Sequence, residues 1–135
     1  LVFEKVMAVN RSTIRDEDGD WSDWVEIRNG GNQVVDLTGY GLSDDPNKLL
    51  KWRFPEYSIG PGEGLTVFLS GKVGKTEELH ASFKLVAEGE PICLSAPSGN
   101  LIQRLDIDIL GPDQVLARDG SGAYTVQNAA PGMTD

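Results

Sequence analysis

Short runs of alternating apolar and polar residues, broken every few positions by Gly, Pro, Asn or Asp, dominate the chain. They are "KVMAV", "WVEIRN", "QVVDL", "YGLSD", "KWRF", "LTVFLS", "ASFKLV", "PICLSA" and "LIQRLDIDIL". Period-two alternation sends successive side chains to opposite faces of an extended chain, and no long 3.6-residue pattern competes with it. In "DWVEIRN" it puts Val25 and Ile27 on a core face and Trp24, Glu26 and Arg28 on the other, the pattern of a half-buried antiparallel strand whose Glu26 faces solvent. Leu65, Val67 and Leu69 share a face in "LTVFLS", with Phe68 opposite. Between the runs, "NGGN", "DDPN", "GPGEG" and "APSGN" supply positive φ, fixed φ and side-chain-to-backbone hydrogen bonds, the chemistry of tight turns. Strands so short and so closely spaced predict an all-β antiparallel sandwich of about seven to nine strands.

The length of 135 residues fits one domain over 1–135 that can bury a core without covalent staples. A formal net charge of −9, with its 12 Lys and Arg scattered along the chain, argues against a domain that neutralises phosphates, so no binding to duplex DNA is expected. The single cysteine, Cys93, sits in the apolar "PICLSA" and reads as a small buried hydrophobe. No apolar run reaches the length of a membrane span, and the opening "LVFEKVMAVN" lacks the order of a signal peptide. The chain reads as a domain cut from a larger multidomain protein.

Six segments in order carry a resemblance: "NRSTIRDEDGDWSDWVEIRN", "VVDLTGYGLSDDPN", "KWRFPEYSIGPGEGLTVFLSGK", "ELHASFKL", "GEPICLS" and the terminal "PGMTD". Together they resemble the lamin tail domain in the form found in bacterial multidomain proteins. The resemblance implies an immunoglobulin-like sandwich. It also implies a non-catalytic accessory module, extracellular or at the cell surface, whose partners are proteins or neighbouring domains of the same chain. Eukaryotic members of that family follow a coiled-coil rod and engage DNA and chromatin proteins; this chain has neither a heptad segment nor a basic patch.

Candidate chemistry concentrates in "IRDEDGDWSDWVEI". Asp16, Asp18 and Asp20 have the alternate spacing that opens a calcium-binding loop, but the turn glycine of that template would fall on Trp21 and its closing glutamate on Ile27. The reading is therefore a structural loop, with Gly19 at positive φ and Asp23 bonding local backbone amides. Weak calcium at the three aspartates is the alternative, strengthened if Asp44 and Asp45 come close in space; no other metal or cofactor is expected. Trp21 is the candidate ligand contact, an indole beside carboxylates that can stack on a sugar ring, while Trp24 and Trp52 read as core.

No catalytic residue is assigned. His80 and Ser82 share a face of "ELHASF" without a nucleophile elbow, and His80 reads as a structural histidine bonded to backbone at a loop end. Gly74, Lys75 and Thr76 end like a phosphate-binding loop, but the leading glycine is replaced by Leu69 and no helix pattern follows. Asp106 and Asp108 are spaced like paired carboxylates, yet Leu105, Ile107 and Ile109 make the opposite face apolar, so the acids read as a solvent face. Asn10 opens an Asn-Arg-Ser sequon to which no role is given. The function classes that follow are an interaction or architectural module, a calcium-assisted carbohydrate-binding or adhesion module, and a hydrolase. The last would need His80 or the paired acids in a concave pocket.

Overall fold

A computed structural model describes residues 1–11, 14–72, 78–85, 89–107 and 110–128. The expectations for Ser12, for the stretch 74–76, for Asp108 and Ile109 and for the terminal "PGMTD" fall outside these residues. Twelve strands follow in order: β1 (Val2–Met7), β2 (Asp23–Arg28), β3 (Val35–Asp36), β4 (Gly41–Ser43), β5 (Trp52–Arg53), β6 (Ser58–Ile59), β7 (Gly64–Leu69), β8 (Leu79–His80), β9 (Glu90–Ser95), β10 (Leu101–Ile107), β11 (Gln114–Arg118) and β12 (Tyr124–Asn128). There is no helix among the described residues. One sheet has six strands, β12-β11-β1-β2-β7-β8; a second has four, β10-β9-β4-β5; β3 and β6 form a separate pair. All pairings are antiparallel except β7 with β8. The all-β sandwich is thus the one the alternation predicts. Four strands, β3, β5, β6 and β8, are only two residues long, and the other eight match the expected seven to nine.

The register shows how the six-stranded sheet makes its core. Val6, Val25, Val67 and Leu79 stand side by side across β1, β2, β7 and β8, and Phe3, Ile27 and Leu65 form the next inward row. Phe3 and Val6 are three residues apart, a spacing that would put them on opposite faces of a regular strand. The register shift between Phe3 and Lys5 restores the phase, and both are fully buried. Facing them, Leu42, Ile92, Leu94, Leu105 and Ile107 of the smaller sheet complete the main cluster, with Trp52 packed against it.

The opposite face of the six-stranded sheet is also covered. Val115, Met7, Trp24 and Phe68 form a second cluster in one cross-strand row, continued by His80, and Ile14 from the loop before β2 packs on it. Trp24 and Glu26 are each 1% exposed. The half-buried reading of this strand is therefore corrected: its faces are assigned as expected, but the residues that lead into β2 fold back over the outer one. Val25, Ile27, Leu65, Val67, Leu69 and Cys93 are buried as expected.

Two further differences concern pairing. In "ASFKLV", Ala81, Phe83 and Leu85 are buried while Ser82 and Lys84 are exposed, so the alternation is real, yet the described residues 81–85 join no sheet and the paired residues are Leu79 and His80 before them. Side-chain burial alternates along any extended chain laid on a core, with or without a ladder partner. The hairpin β11–β12, around "DGSG", is absent from the expected runs although it completes the larger sheet beside β1.

Candidate functional site: the acidic loop and its cleft

The loop from Asn10 to Ser22 is closed at its neck by one side chain. The Asn10 amide donates from Nδ2 to the carbonyls of Ile14 (2.7 Å) and Ser22 (2.8 Å), and the residue is buried, so the amide of the sequon is engaged in the fold. Asp16 organises the interior. Its Oδ1 accepts the backbone N–H groups of Asp18 and Asp20, each at 3.0 Å, and its Oδ2 accepts the Ser22 hydroxyl at 2.9 Å. Gly19 turns the chain at φ +81°, the positive value its place in the loop calls for.

Lys72, just after β7, reaches into this loop. Its ammonium lies 2.6 Å from Asp16 Oδ2 and 2.9 Å from Oδ2 of both Asp18 and Asp20. The three aspartates with calcium-loop spacing do converge, and the point on which they converge holds the protein's own cation. Burial pushes the Asp16 carboxyl upward, but hydrogen bonds from Lys72, the Asp20 amide, Ser22 and the Asp18 amide outweigh it and hold the pKa at about 2. For Lys72 burial works against the charge, and the bonds to Asp16, Asp20 and Asp18 raise its pKa above the usual lysine value. Asp44 and Asp45 are occupied elsewhere. Asp44 pairs with Lys51 at 2.7 Å, and Asp45 accepts the Asn47 amide at 2.9 Å.

Beside the loop lies a cleft of about 250 Å³, lined by Trp21, Asp23, Leu69, Ser70, Lys72 and Lys84 among others. Trp21 is 40% exposed, and the Arg15 guanidinium sits 4.6 Å from its ring centroid. Asp23 accepts backbone hydrogen bonds from Asn10 and Leu85, so its partners are distant in sequence and the expectation of local amides is corrected. Burial raises its pKa to about 7, against the opposing effect of those two bonds and of Lys84.

His80 closes the other end of the loop. Its Nδ1 meets the Ser70 hydroxyl at 2.7 Å rather than backbone, its ring stacks on Phe68 with centroids 5.4 Å apart, and its Nε2 lies 2.6 Å from Glu17 Oε1. Ser82 is exposed while His80 is buried, so the two do not share a face and the Ser82–His80 pairing considered from sequence does not form. Asp106 is exposed and pairs with Arg104, with Leu105 and Ile107 buried behind it, which is the expected solvent face as far as the described residues reach. Sequence reasoning missed Lys72, Ser70 and Glu17. The only signal at Lys72 is a cation directly after a strand, which does not name its partners.

The molecule is thus an immunoglobulin-like β-sandwich whose larger sheet carries an acidic strap on its outer face. The family model of the Lamin Tail Domain matches residues 1–108, and the chain belongs to that family. Strands β11 and β12 lie beyond the matched span yet complete the same sheet. Neither a curated protein nor a solved structure matches the chain. Among the described residues no helix is long and apolar enough to cross a membrane.

Proposed function

We propose that the domain is a non-catalytic protein-interaction or architectural module of a larger bacterial surface or secreted protein, working outside the cell. Family membership supports the class, since lamin tail domains are immunoglobulin-like domains of a non-enzymatic type. The observation that carries the interaction role is the state of the sheet edges. Strand β10 ends one sheet and β12 the other, and both bear exposed apolar side chains: Leu101 (51%), Ile102 (41%) and Val126 (51%). An open edge offers unpaired backbone groups to a partner strand, and the apolar side chains give that pairing a surface to bury. The partner is a neighbouring domain of the same chain or a separate protein. The test is sedimentation of the domain with its parent's flanking domains: Ile102→Lys or Val126→Lys should abolish association while leaving the melting temperature near wild type. Association that survives both substitutions would move the interface elsewhere, and turnover of ester or glycoside substrates would overturn the non-catalytic reading.

The cleft favours a second reading, a calcium-assisted carbohydrate-binding or adhesion module. It is concave and places the half-exposed Trp21 beside carboxylates and two lysines, the combination that holds a sugar ring by stacking and polar contacts. Quenching of tryptophan fluorescence by glycans, lost in Trp21→Ala, would support it.

A further inference from the structure

Apart from the aspartates that surround Lys72, a second set of metal-ligating side chains meets on the far side of the same loop, and it contains an imidazole. Glu17, Glu78 and His80 each bring one ligand atom to a common place, all within 4.8 Å of one another. The His80 side chain is 1% exposed and that of Glu17 is 9% exposed. His80 Nε2 and Glu17 Oε1 stand 2.6 Å apart, an ion pair when the ring is protonated, yet neither atom makes a hydrogen bond of good geometry, so the contact is not in line with a ring N–H donating to the carboxylate. Two bare lone pairs at that distance repel, so the pair calls for a positive charge between them, and a metal ion can supply it in place of a proton once the two side chains move apart. The other ring nitrogen fits this role. In the tautomer whose Nδ1–H donates to Ser70 Oγ, which also accepts the Lys72 amide at 3.1 Å, the imidazole is fixed in orientation and Nε2 is left to ligate. No Lys or Arg among the described residues fills this place as Lys72 fills the aspartate cluster.

We infer that Glu17, Glu78 and His80 form a site for a divalent transition cation such as zinc, tying the acidic loop to strand β8. One imidazole nitrogen with two carboxylate oxygens suits a borderline cation, whereas calcium takes six to eight oxygens. Ligands of a tetrahedral zinc stand about 3.4 Å apart, so Glu17 must draw back from its 2.6 Å contact with His80 and the exposed Glu78 must swing inward. This site is independent of the edge-strand interface proposed above.

The test is calorimetric titration of the untagged domain with zinc, and separately with calcium, alongside thermal melts with and without chelator. Zinc should bind at one equivalent and raise the melting temperature, and calcium should not compete with it. Glu78→Gln, an exposed substitution that leaves the His80–Ser70 bond intact, should melt like wild type without metal but bind zinc at least tenfold more weakly. In cobalt-loaded protein, the visible absorption band of wild type should disappear in His80→Gln. Absence of zinc binding, or wild-type zinc affinity in both Glu78→Gln and Glu17→Gln, would overturn the assignment. Binding lost in Asp18→Asn and Asp20→Asn but kept in Glu78→Gln would place the ion among the aspartates and equally overturn it.

Discussion

A single ammonium, that of Lys72, sits where the carboxylates of the acidic loop converge. It lies within 2.9 Å of three carboxylates, one of them with no exposed side-chain surface, and thereby does electrostatically what a calcium ion would do. Lys72→Met is expected to destabilise the domain by about 2 kcal/mol in denaturant melts, the scale of lost hydrogen bonds to charged groups. The variant should also gain a calcium-dependent rise in melting temperature. A rise of equal size in wild type would show that the aspartates take calcium with Lys72 in place. Asp23 makes a second prediction at this scale. Its pKa is about 7 in the fold against an ordinary 3.8, so the native state holds a proton over that window which the unfolded chain has released. The stability it contributes is full below about pH 4 and is lost as pH rises through 7. Asp23→Asn should therefore lose less stability than wild type between pH 4 and 8, and parallel pH profiles would refute the assignment. Of these residues, only Gly19 and the alternate aspartates were legible in the sequence, because local turn chemistry is written locally. The Lys72–Asp16 bond joins residues 56 apart, and nothing at either position names the other.

At the scale of elements, alternation revealed which side chains share a face but not what covers the face. For β2 it assigned Val25 and Ile27 inward correctly and put Trp24 and Glu26 on the opposite face, with Glu26 left to solvent, whereas both are buried and Trp24 is covered by Ile14 of the loop. The cover comes from a segment with no period of its own, so no pattern announces it. Ile27→Ala should cost about 2 to 5 kcal/mol from lost burial and the cavity left behind, and Trp24→Ala about 3 to 5. A cheap Trp24→Ala in urea melts would mean that the strap is open in solution. The same limit explains the two C-terminal strands. "QVLAR" and "YTVQN" flank a glycine-rich turn and are readable as a hairpin, but only the fold shows that β11 lies against β1 and that Val115 is fully buried in the outer cluster. Ending the chain at residue 110 would keep the whole family span yet strip β1 of its β11 ladder partner. The shortened protein is expected to lose cooperative melting by circular dichroism, and an unchanged transition would show that β1 tolerates being an edge.

For the whole molecule, net charge sets which partners are compatible, and here the fold sharpens what composition says. The chain carries 21 Asp and Glu against 12 Lys and Arg, and several of those cations are committed internally. Lys72 is held by three aspartates, Lys51 by Asp44 and Arg104 by Asp106, while Arg28 and Arg118 flank Glu4 and Arg15 lies over Trp21. Affinity for duplex DNA comes chiefly from releasing counterions as clustered Lys and Arg neutralise phosphates, and a protein without that term loses even the non-specific binding of about 10⁻⁴ to 10⁻⁶ M. Cations spent on carboxylates cannot supply it unless their ion pairs break, which adds a cost to binding that composition alone does not reveal. The domain is therefore expected to leave a 30-base-pair duplex unretarded in a mobility-shift titration carried to high micromolar protein at physiological salt. Lowering the salt should not rescue binding, because the net repulsion grows as screening falls. Retardation at micromolar protein that weakens steeply with added salt would refute this, and would mean that the twelve cations gather on a face where the acids do not oppose them.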